Sequence, residues 1–237
     1  MNIKRTLSKI VTASIIGLAT LIPSNKAESG VKISLAFKDK YVVVPGFIPE
    51  KEPVVQPSIT LNKDGLYGMI WSNFNTKKKE FTEVDYIIGY NNNLMGLNFD
   101  VSYNLFDFKN LGKNELNDNL HELWLNLTKK YVVSPSLRFV QNFSGGNLKN
   151  SKGSYITLTL NHNNSIGKIP ISLEGSLQYN NRYFIENRGF SIAQADFSLP
   201  FELNDISITP KIRFRKALDK DNFENSTDFG LSLDYKF

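Results

Sequence analysis

The chain has 237 residues, of which 41% are hydrophobic, and its 28 lysines and arginines exceed its 23 acidic residues by five. That length suits either one closed β-barrel or one large soluble β domain, and composition alone does not choose between them. Because the sequence contains no cysteine, it excludes disulfides, thiolate metal sites, cysteine nucleophiles and the acylated N-terminal cysteine of a lipoprotein.

The N-terminal segment has the order of regions found in a secretory signal peptide. Lys4, Arg5 and Lys9 precede an apolar run over residues 10–22, and the small residue Ala27 follows it. A spanning helix needs about 20 apolar residues, so a buried or anchoring helix is the less favoured alternative. We expect cleavage after Ala27, which makes residues 1–27 the signal peptide and residues 28–237 the mature domain.

Cleavage at this point would remove most of the excess positive charge. The leader carries four basic residues, Lys26 among them, and no acidic residue, so 24 of the 28 basic residues would remain against 23 acidic ones. The positive charge therefore belongs to the targeting segment and gives no reason to expect nucleic-acid binding. Since no second long apolar segment follows, any membrane residence must use strands.

From residue 31 onward, apolar and polar residues alternate over stretches of about ten residues, the length of a tilted transmembrane strand. In chain order, the predicted strands cover residues 31–44, 54–61, 65–73, 82–91, 95–106, 118–129, 132–142, 153–161, 169–180, 191–202, 205–215 and 226–237. The last is the clearest, because every second residue from Phe229 to Phe237 is apolar and the residues between them are Gly230, Ser232, Asp234 and Lys236.

The connections between these strands distinguish a transmembrane barrel from a soluble β-sandwich, whose strands also alternate. The odd-numbered connections are polar and roughly nine to twelve residues long, and the others are shorter, as in transmembrane barrels. Residues 62–65, 91–93 and 203–205 have side chains that suit tight hairpins. We therefore predict an all-β fold, a transmembrane antiparallel up-and-down β-barrel of about twelve strands.

Prolines and aromatic residues test this prediction strand by strand. Five prolines fall within or at the start of predicted strands, where each removes a hydrogen-bond donor and requires a bulge or a strand end: Pro57, Pro135, Pro170, Pro200 and Pro210. Aromatic residues gather near strand ends, where transmembrane barrels carry interfacial girdles: Tyr41, Trp71, Tyr90, Phe106, Phe143, Tyr179, Tyr183 and Phe237.

Residues 54–108 carry a series of short motifs. In order, they are Gln56-Pro57, Gly65-Leu66-Tyr67-Gly68, Trp71-Ser72-Asn73, Glu83-Val84-Asp85-Tyr86, Gly89-Tyr90, Gly96-Leu97, Asp100-Val101 and the pair Phe106 and Phe108. The series resembles the TorF-type porin family of Gram-negative bacteria, and weaker similarity continues along the chain. The sequence departs from the family after Tyr41, where an Arg-Gly pair is missing, and near Phe108, where an aromatic-Pro ending is missing. The resemblance implies an outer-membrane β-barrel with a channel role.

Neither histidine lies in a catalytic pattern. Outer-membrane phospholipases and lipid A deacylases place a His and a Ser two residues apart on one strand face. His162 instead precedes Ser165 by three residues in a predicted turn, and His121 has Leu123 at the matching position. An envelope hydrolase is therefore the least favoured function, and we expect no enzyme activity, no cofactor and no metal site.

Charged residues on the predicted inward faces are the candidates for lining a lumen and biasing which ions pass. They are Asp85, Asp100, Glu122, Arg138, Glu174, Asp196, Lys211, Arg213, Arg215 and Asp234. About twelve strands enclose a bore between those of small filled barrels and open porins. The favoured function is a passive or weakly selective channel for ions or small solutes. The alternative is a structural or surface-interaction barrel whose lumen is blocked by paired charges.

The C-terminal residues Leu233, Tyr235 and Phe237 resemble the terminal signal read by barrel-assembly machinery. The expected partners are that machinery during biogenesis, then outer-membrane lipid and lipopolysaccharide. We expect a monomer in the outer membrane of a Gram-negative bacterium, with no nucleic-acid partner.

Overall fold

The computed structural model describes residues 29–43, 48–108, 120–143 and 152–237. Its strands are β1 Ser29–Lys38, β2 Val54–Lys63, β3 Leu66–Asn75, β4 Glu80–Leu94, β5 Leu97–Phe108, β6 Leu120–Lys129, β7 Ser134–Asn142, β8 Ser154–Ile166, β9 Ile169–Asn181, β10 Arg188–Ser198, β11 Phe201–Leu203, β12 Ile206–Ala217 and β13 Ser226–Lys236. The predicted signal peptide, residues 1–27, lies outside the described residues. None of the described residues forms a helix that is long and apolar enough to cross a membrane.

The sheet closes on itself. Each strand pairs antiparallel with its neighbour, and the ring closes where β1 pairs with β13, from Lys32 opposite Lys236 to Lys38 opposite Gly230. Strands β10 and β11 both pair with β12, so they form the two halves of one barrel strand, interrupted at Leu199 and Pro200. The fold is therefore a closed twelve-stranded antiparallel β-barrel, as the sequence predicts.

Side chains of opposite character occupy the two faces of this barrel. The outward face carries exposed apolar residues on strand after strand, including Ile70, Ile88, Leu125, Leu158, Leu173, Phe197, Phe214 and Leu231. The intervening positions, such as Asn104 and Glu122, point inward and are buried. Exposed apolar side chains repeated around a closed sheet are unfavourable in water and suit contact with lipid.

Tight turns close one end of the barrel. Asp64 and Gly65 both have positive φ, 52° and 84°, as the two central residues of a type I′ hairpin require. Met95 and Gly96 repeat this geometry, with φ of 53° and 75°. The turn predicted at residues 91–93 is wrong, because β4 continues to Leu94 and the positive-φ pair lies beyond it.

The connections alternate in length, with one exception. At the turn end they span residues 64–65, 95–96, 130–133, 167–168 and 204–205, and at the opposite end 39–53, 76–79, 109–119, 143–153, 182–187 and 218–225. The third connection, residues 76–79, is shorter than predicted because β3 and β4 extend beyond their predicted ends. Conversely, β1 ends at Lys38 instead of residue 44.

The prolines are accommodated in two ways. Pro135 and Pro170 are second residues of their strands, and Pro200 lies in the interruption between β10 and β11. Pro57 and Pro210, however, lie inside β2 and β12 without a bulge. The residue pairing is interrupted beside each of them on one side only: between β2 and β3 for Pro57, and between β12 and the β10–β11 strand for Pro210, where the Pro210 carbonyl oxygen still accepts from Leu199 N at 3.1 Å. Because proline has no backbone N–H to donate, each of these two prolines interrupts the strand pairing locally.

We predict that Gly65→Ala destabilises the barrel more than Gly167→Ala. Both glycines lie in two-residue turns with positive φ, so both substitutions carry left-handed strain of about 1–2 kcal/mol. Only at Gly65 would the new Cβ also lie 2.3 Å from the Asn91 carbonyl oxygen, whereas at Gly167 it would meet nothing within 4 Å. Urea-unfolding midpoints in detergent measure both effects. Equal midpoints would show that the contact with Asn91 relaxes without cost.

Candidate functional site

The lumen holds the charged side chains of the barrel. All ten sequence-predicted inward residues lie on the inward face: Asp85, Glu122, Asp196 and Arg215 are buried, and Asp100, Arg138, Glu174, Lys211, Arg213 and Asp234 are half-buried. Burial is unequal along the barrel axis. Inward residues near the loop end, such as Asn75, Glu83 and Asn180, are almost fully buried, whereas inward residues nearer the turns remain partly accessible.

Two loops fold into the lumen at the loop end. Tyr41, in the connection from β1 to β2, donates from its hydroxyl to Glu83 Oε2 at 2.5 Å. Tyr183, in the connection from β9 to β10, donates to Glu122, whose other oxygen accepts from Trp124 Nε1 at 2.5 Å. Burial, together with the Glu83 carboxylate for Tyr41 and the Glu122 carboxylate for Tyr183, raises the pKa of both phenols well above the ordinary value. Both hydroxyls therefore stay protonated and remain donors.

Carboxylates without a cationic partner form one arc of the lumen. Glu83 and Asp85 lie on β4 and Glu122 lies on β6, and none of them takes part in an ion pair among the described residues. A buried carboxylate is costly unless hydrogen bonds compensate it, and a hydrogen bond to a charged group contributes about 1.5–3 kcal/mol. The tyrosine and tryptophan donors provide that compensation for the two glutamates. We call Glu83, Asp85 and Glu122 the acidic arc.

Basic residues form a second group, centred on β12. Arg213 binds Asp196 bidentately, with Nε 2.9 Å from Oδ1 and a terminal nitrogen 2.6 Å from Oδ2, and Lys211 Nζ lies 3.4 Å from the same carboxylate. Arg215 pairs with Asp228 and donates from Nε to Gln194 Oε1 at 2.9 Å. With strands β4 to β6 and strands β12 to β1 on nearly opposite sides of the ring, the acidic arc faces this basic group across the lumen.

A chain of polar side chains crosses β5, β6 and β7, next to the acidic arc. Asn126 on β6 donates to Asp100 Oδ1 at 3.0 Å and accepts from Arg138 Nε at 2.7 Å, while the Arg138 guanidinium lies 5.0 Å from the Trp124 ring centroid. Asn126 thus joins two predicted residues, Asp100 and Arg138, and was itself not predicted. Of the remaining predicted residues, Asp234 pairs with Lys32 at 3.2 Å. Glu174 lies opposite Asp196 in the β9–β10 ladder.

Half of the aromatic residues predicted for the membrane girdle lie inside the barrel instead. Tyr41 and Tyr183 are 7% and 3% exposed, and Trp71 and Phe106 lie on inward faces of β3 and β5. The girdle prediction is wrong for these four because proximity to a strand end does not reveal which way a side chain points. Tyr90, Phe143, Tyr179 and Phe237 are exposed, as predicted.

Several lumen residues escaped the sequence analysis. Each of Glu83, Lys38 and Asp228 lies an even number of residues from an inward residue of its own strand, so the period of two could have identified them. Tyr41, Glu50 and Tyr183 lie in loops, where no periodicity indicates direction.

Both histidines lie on the outward face. His121 Nδ1 is 2.5 Å from the Tyr103 hydroxyl, and His162 Nδ1 is 2.8 Å from the Val132 carbonyl oxygen. His162 lies within β8 and not in the predicted turn, which is formed by residues 167–168.

The fold matches solved outer-membrane β-barrels. It is similar to the NanC porin, with a TM-score of 0.53 and 9% identity over 87% of this chain and 100% of that chain. It is also similar to an outer membrane channel from Pseudomonas putida F1, with a TM-score of 0.52 and 10% identity over 92% of this chain and 100% of that chain. No family model and no curated protein matches the sequence. The similarity is one of fold: this chain has the architecture of outer-membrane porins and channels.

We predict that Tyr183→Phe loosens the loop of residues 182–187. Arg182 and Phe184 hold positive φ, 61° and 57°, and the Tyr183 hydroxyl bond to Glu122 helps to keep them there. Removing that bond should cost about 1.5–3 kcal/mol and speed tryptic cleavage at the exposed Arg182. The matched control is Tyr179→Phe, because Tyr179 is outward-facing and 38% exposed. The same cleavage rate in both variants would contradict the role of the hydroxyl.

Proposed function

We propose that this barrel is an outer-membrane channel for the passive or weakly selective passage of ions or small solutes. The observation that supports it best is the partly accessible lumen lined by charged and polar side chains. A barrel that served only as a scaffold could fill that space with apolar groups, as small closed barrels do. The hollow beside Lys38, Lys211 and Arg213 alone has a volume of about 260 Å³.

The tyrosines that fold inward define the narrow end of the proposed path. Tyr41 and Tyr183 are held by carboxylates of the acidic arc, and the Tyr183 ring packs at 4.9 Å from that of Tyr155. Ile185 and Phe223 pack with Ile192 and Ala217 beside them. Such packing restricts the bore without closing the half of the lumen that lies towards the turns. A barrel with a blocked lumen that binds a partner through its loops is the alternative function.

Planar bilayers separate the two functions. We expect the mature chain to give stepwise ionic currents, and the double variant Tyr41→Ala, Tyr183→Ala to conduct several-fold more, because it removes two bulky rings from the loop end. Tyr179→Ala is the matched control, since it removes an outward-facing ring, and should conduct as the parent does. A sealed bilayer at high protein load, with current only in the double variant, would favour the blocked barrel.

The outer-membrane location and the domain boundaries form a second part of the proposal. The exposed apolar outer face favours contact with lipid and lipopolysaccharide, and cleavage after Ala27 would release a mature chain whose first residue is Glu28. Leu233, Tyr235 and Phe237 would be read by the barrel-assembly machinery. Tyr235 and Phe237 are exposed and their rings meet edge to face at 4.5 Å. The monomer and the absence of a nucleic-acid partner belong to the same proposal, as does membership of the TorF-type family, which the motifs of residues 54–108 support.

Gel analysis of extracted outer membranes tests this part. We expect a band whose migration changes on heating, because a closed barrel stays folded in detergent until it is boiled, and whose N-terminal residue is Glu28. Phe237→Ser should reduce that band, while Phe143→Ser, at an exposed aromatic near the opposite end, should leave it unchanged. A chain that stays soluble and monomeric without detergent would refute the membrane location.

A further inference from the structure

One hollow in the lumen is bordered by more cations than its carboxylates can neutralise. The cationic side chains that border it are Lys38, Lys40, Lys211, Arg213 and Arg215, and Asp228 is the carboxylate among its lining residues. Asp196, behind it, already binds Arg213 and Lys211, and Asp228 already binds Arg215. Lys40 pairs with Asp39 at 3.7 Å, so two of the five positive charges remain in excess after Asp39, Asp196 and Asp228 are counted.

Lys38 is the clearest uncommitted cation of this group. It is half-buried, and it makes no hydrogen bond or ion pair among the described residues. The charges around it are mostly of the same sign, since Arg213, Arg215 and Lys211 are its neighbours and Asp228 is the opposing one. An ammonium group has three donors, and all three of Lys38 are available to an anion. Repulsion between Lys38 and these neighbouring cations is unfavourable unless an anion binds between them.

The hollow itself results from small side chains on three adjacent strands. Between the basic residues of β12 and Trp71 on β3, the inward positions of β13, β1 and β2 carry residues without bulk: Gly230, Ser232, Ser34, Ala36 and Ser58. The register aligns them, because Ala36 lies opposite Ser232 and Ser34 lies opposite Ser58. These short side chains leave about 260 Å³, near the lower end of the roughly 300–1,000 Å³ of small-molecule sites.

The lining offers two kinds of contact. Ammonium and guanidinium groups lie on one side, and they favour a carboxylate or a phosphate. The remaining lining residues include Ser34, Ser58, Ser232 and Trp71, and none of the hydrogen bonds of the described residues engages the three serine hydroxyls. Hydroxyls pair with hydroxyls of a solute, and an indole ring packs on its carbon skeleton.

We infer that this hollow is a binding site for a small hydroxylated organic anion, which a channel of the proposed kind would admit in preference to neutral or cationic solutes. The anionic group would bind Lys38, with Lys211 and Arg213 nearby, and the hydroxyl groups would meet the serines. This inference rests on the proposed function for its role in passage, but the binding itself does not require an open channel.

The test uses D-glucuronate, with D-glucose as the probe that lacks the carboxylate, on the detergent-purified mature chain. Tryptophan fluorescence reports binding, because Trp71 lines the hollow. We expect saturable binding of D-glucuronate, binding of D-glucose weaker by at least about tenfold, and loss of the fluorescence change in Trp71→Phe. Lys38→Gln should weaken D-glucuronate binding by about tenfold, since it removes a charged donor without leaving a carboxylate unpaired.

Lys32→Gln is the matched control. Lys32 lies on the same strand and inward face, but it is paired with Asp234 and does not border the hollow. Unchanged binding in this variant supports the site. No saturable binding, equal affinity for both probes, or an unaffected Lys38→Gln would overturn it. Bilayer currents are recorded separately: a chain that binds D-glucuronate but passes no current refutes the channel and retains the site.

Discussion

The pairing of β1 with β13 is the interaction on which the rest of this structure depends. Inside a bilayer no water is available to unpaired backbone groups, so a sheet can cross only if its first and last strands meet. Seven consecutive residue pairs, from Lys32–Lys236 to Lys38–Gly230, make that junction. Once the sheet is closed, side chains must alternate between lipid and lumen. The apolar positions, such as Leu173 and Leu231, face outward, and the charged ones are confined to a shared interior.

Confinement explains how the charges are arranged. Carboxylates and cations that cannot reach bulk water need partners that compensate their charge. The kind of partner differs between the β12 side of the barrel and the acidic arc. On the β12 side, Arg213 and Arg215 bind Asp196 and Asp228, which compensates charge with charge. In the acidic arc, neutral hydrogen-bond donors compensate the carboxylates: tyrosine hydroxyls from two loops and one indole N–H bind Glu83 and Glu122. These donors also draw the loops inward, so the same bonds that stabilise the carboxylates narrow the loop end.

Sequence periodicity was informative wherever a residue belongs to a strand. The alternation in residues 226–237 placed Asp234 on the inward face, and the ten charged residues selected in this way all lie there. Proximity to a strand end, on which the aromatic girdle prediction was based, was less informative. Tyr41 and Tyr183 were expected at the membrane interface, yet both are buried against carboxylates contributed by distant strands. Strands β2 and β3 and their connections separate Glu83 from Tyr41 in the chain, and no local pattern indicates that contact.

The sequence by itself determined the class of fold, the approximate strands and the inward face of the charged strand residues it selected, because the pleat has a period of two and lipid and water select opposite side chains. Only the tertiary structure decided which residues meet across the lumen. Barrel closure and strand register decide these contacts. They bring Lys38 of β1 beside Arg213 of β12, which is far away in the chain, and they align small residues on the strands between β12 and Trp71. Contacts of this kind arise from long-range pairing, which leaves no periodic trace in a single sequence.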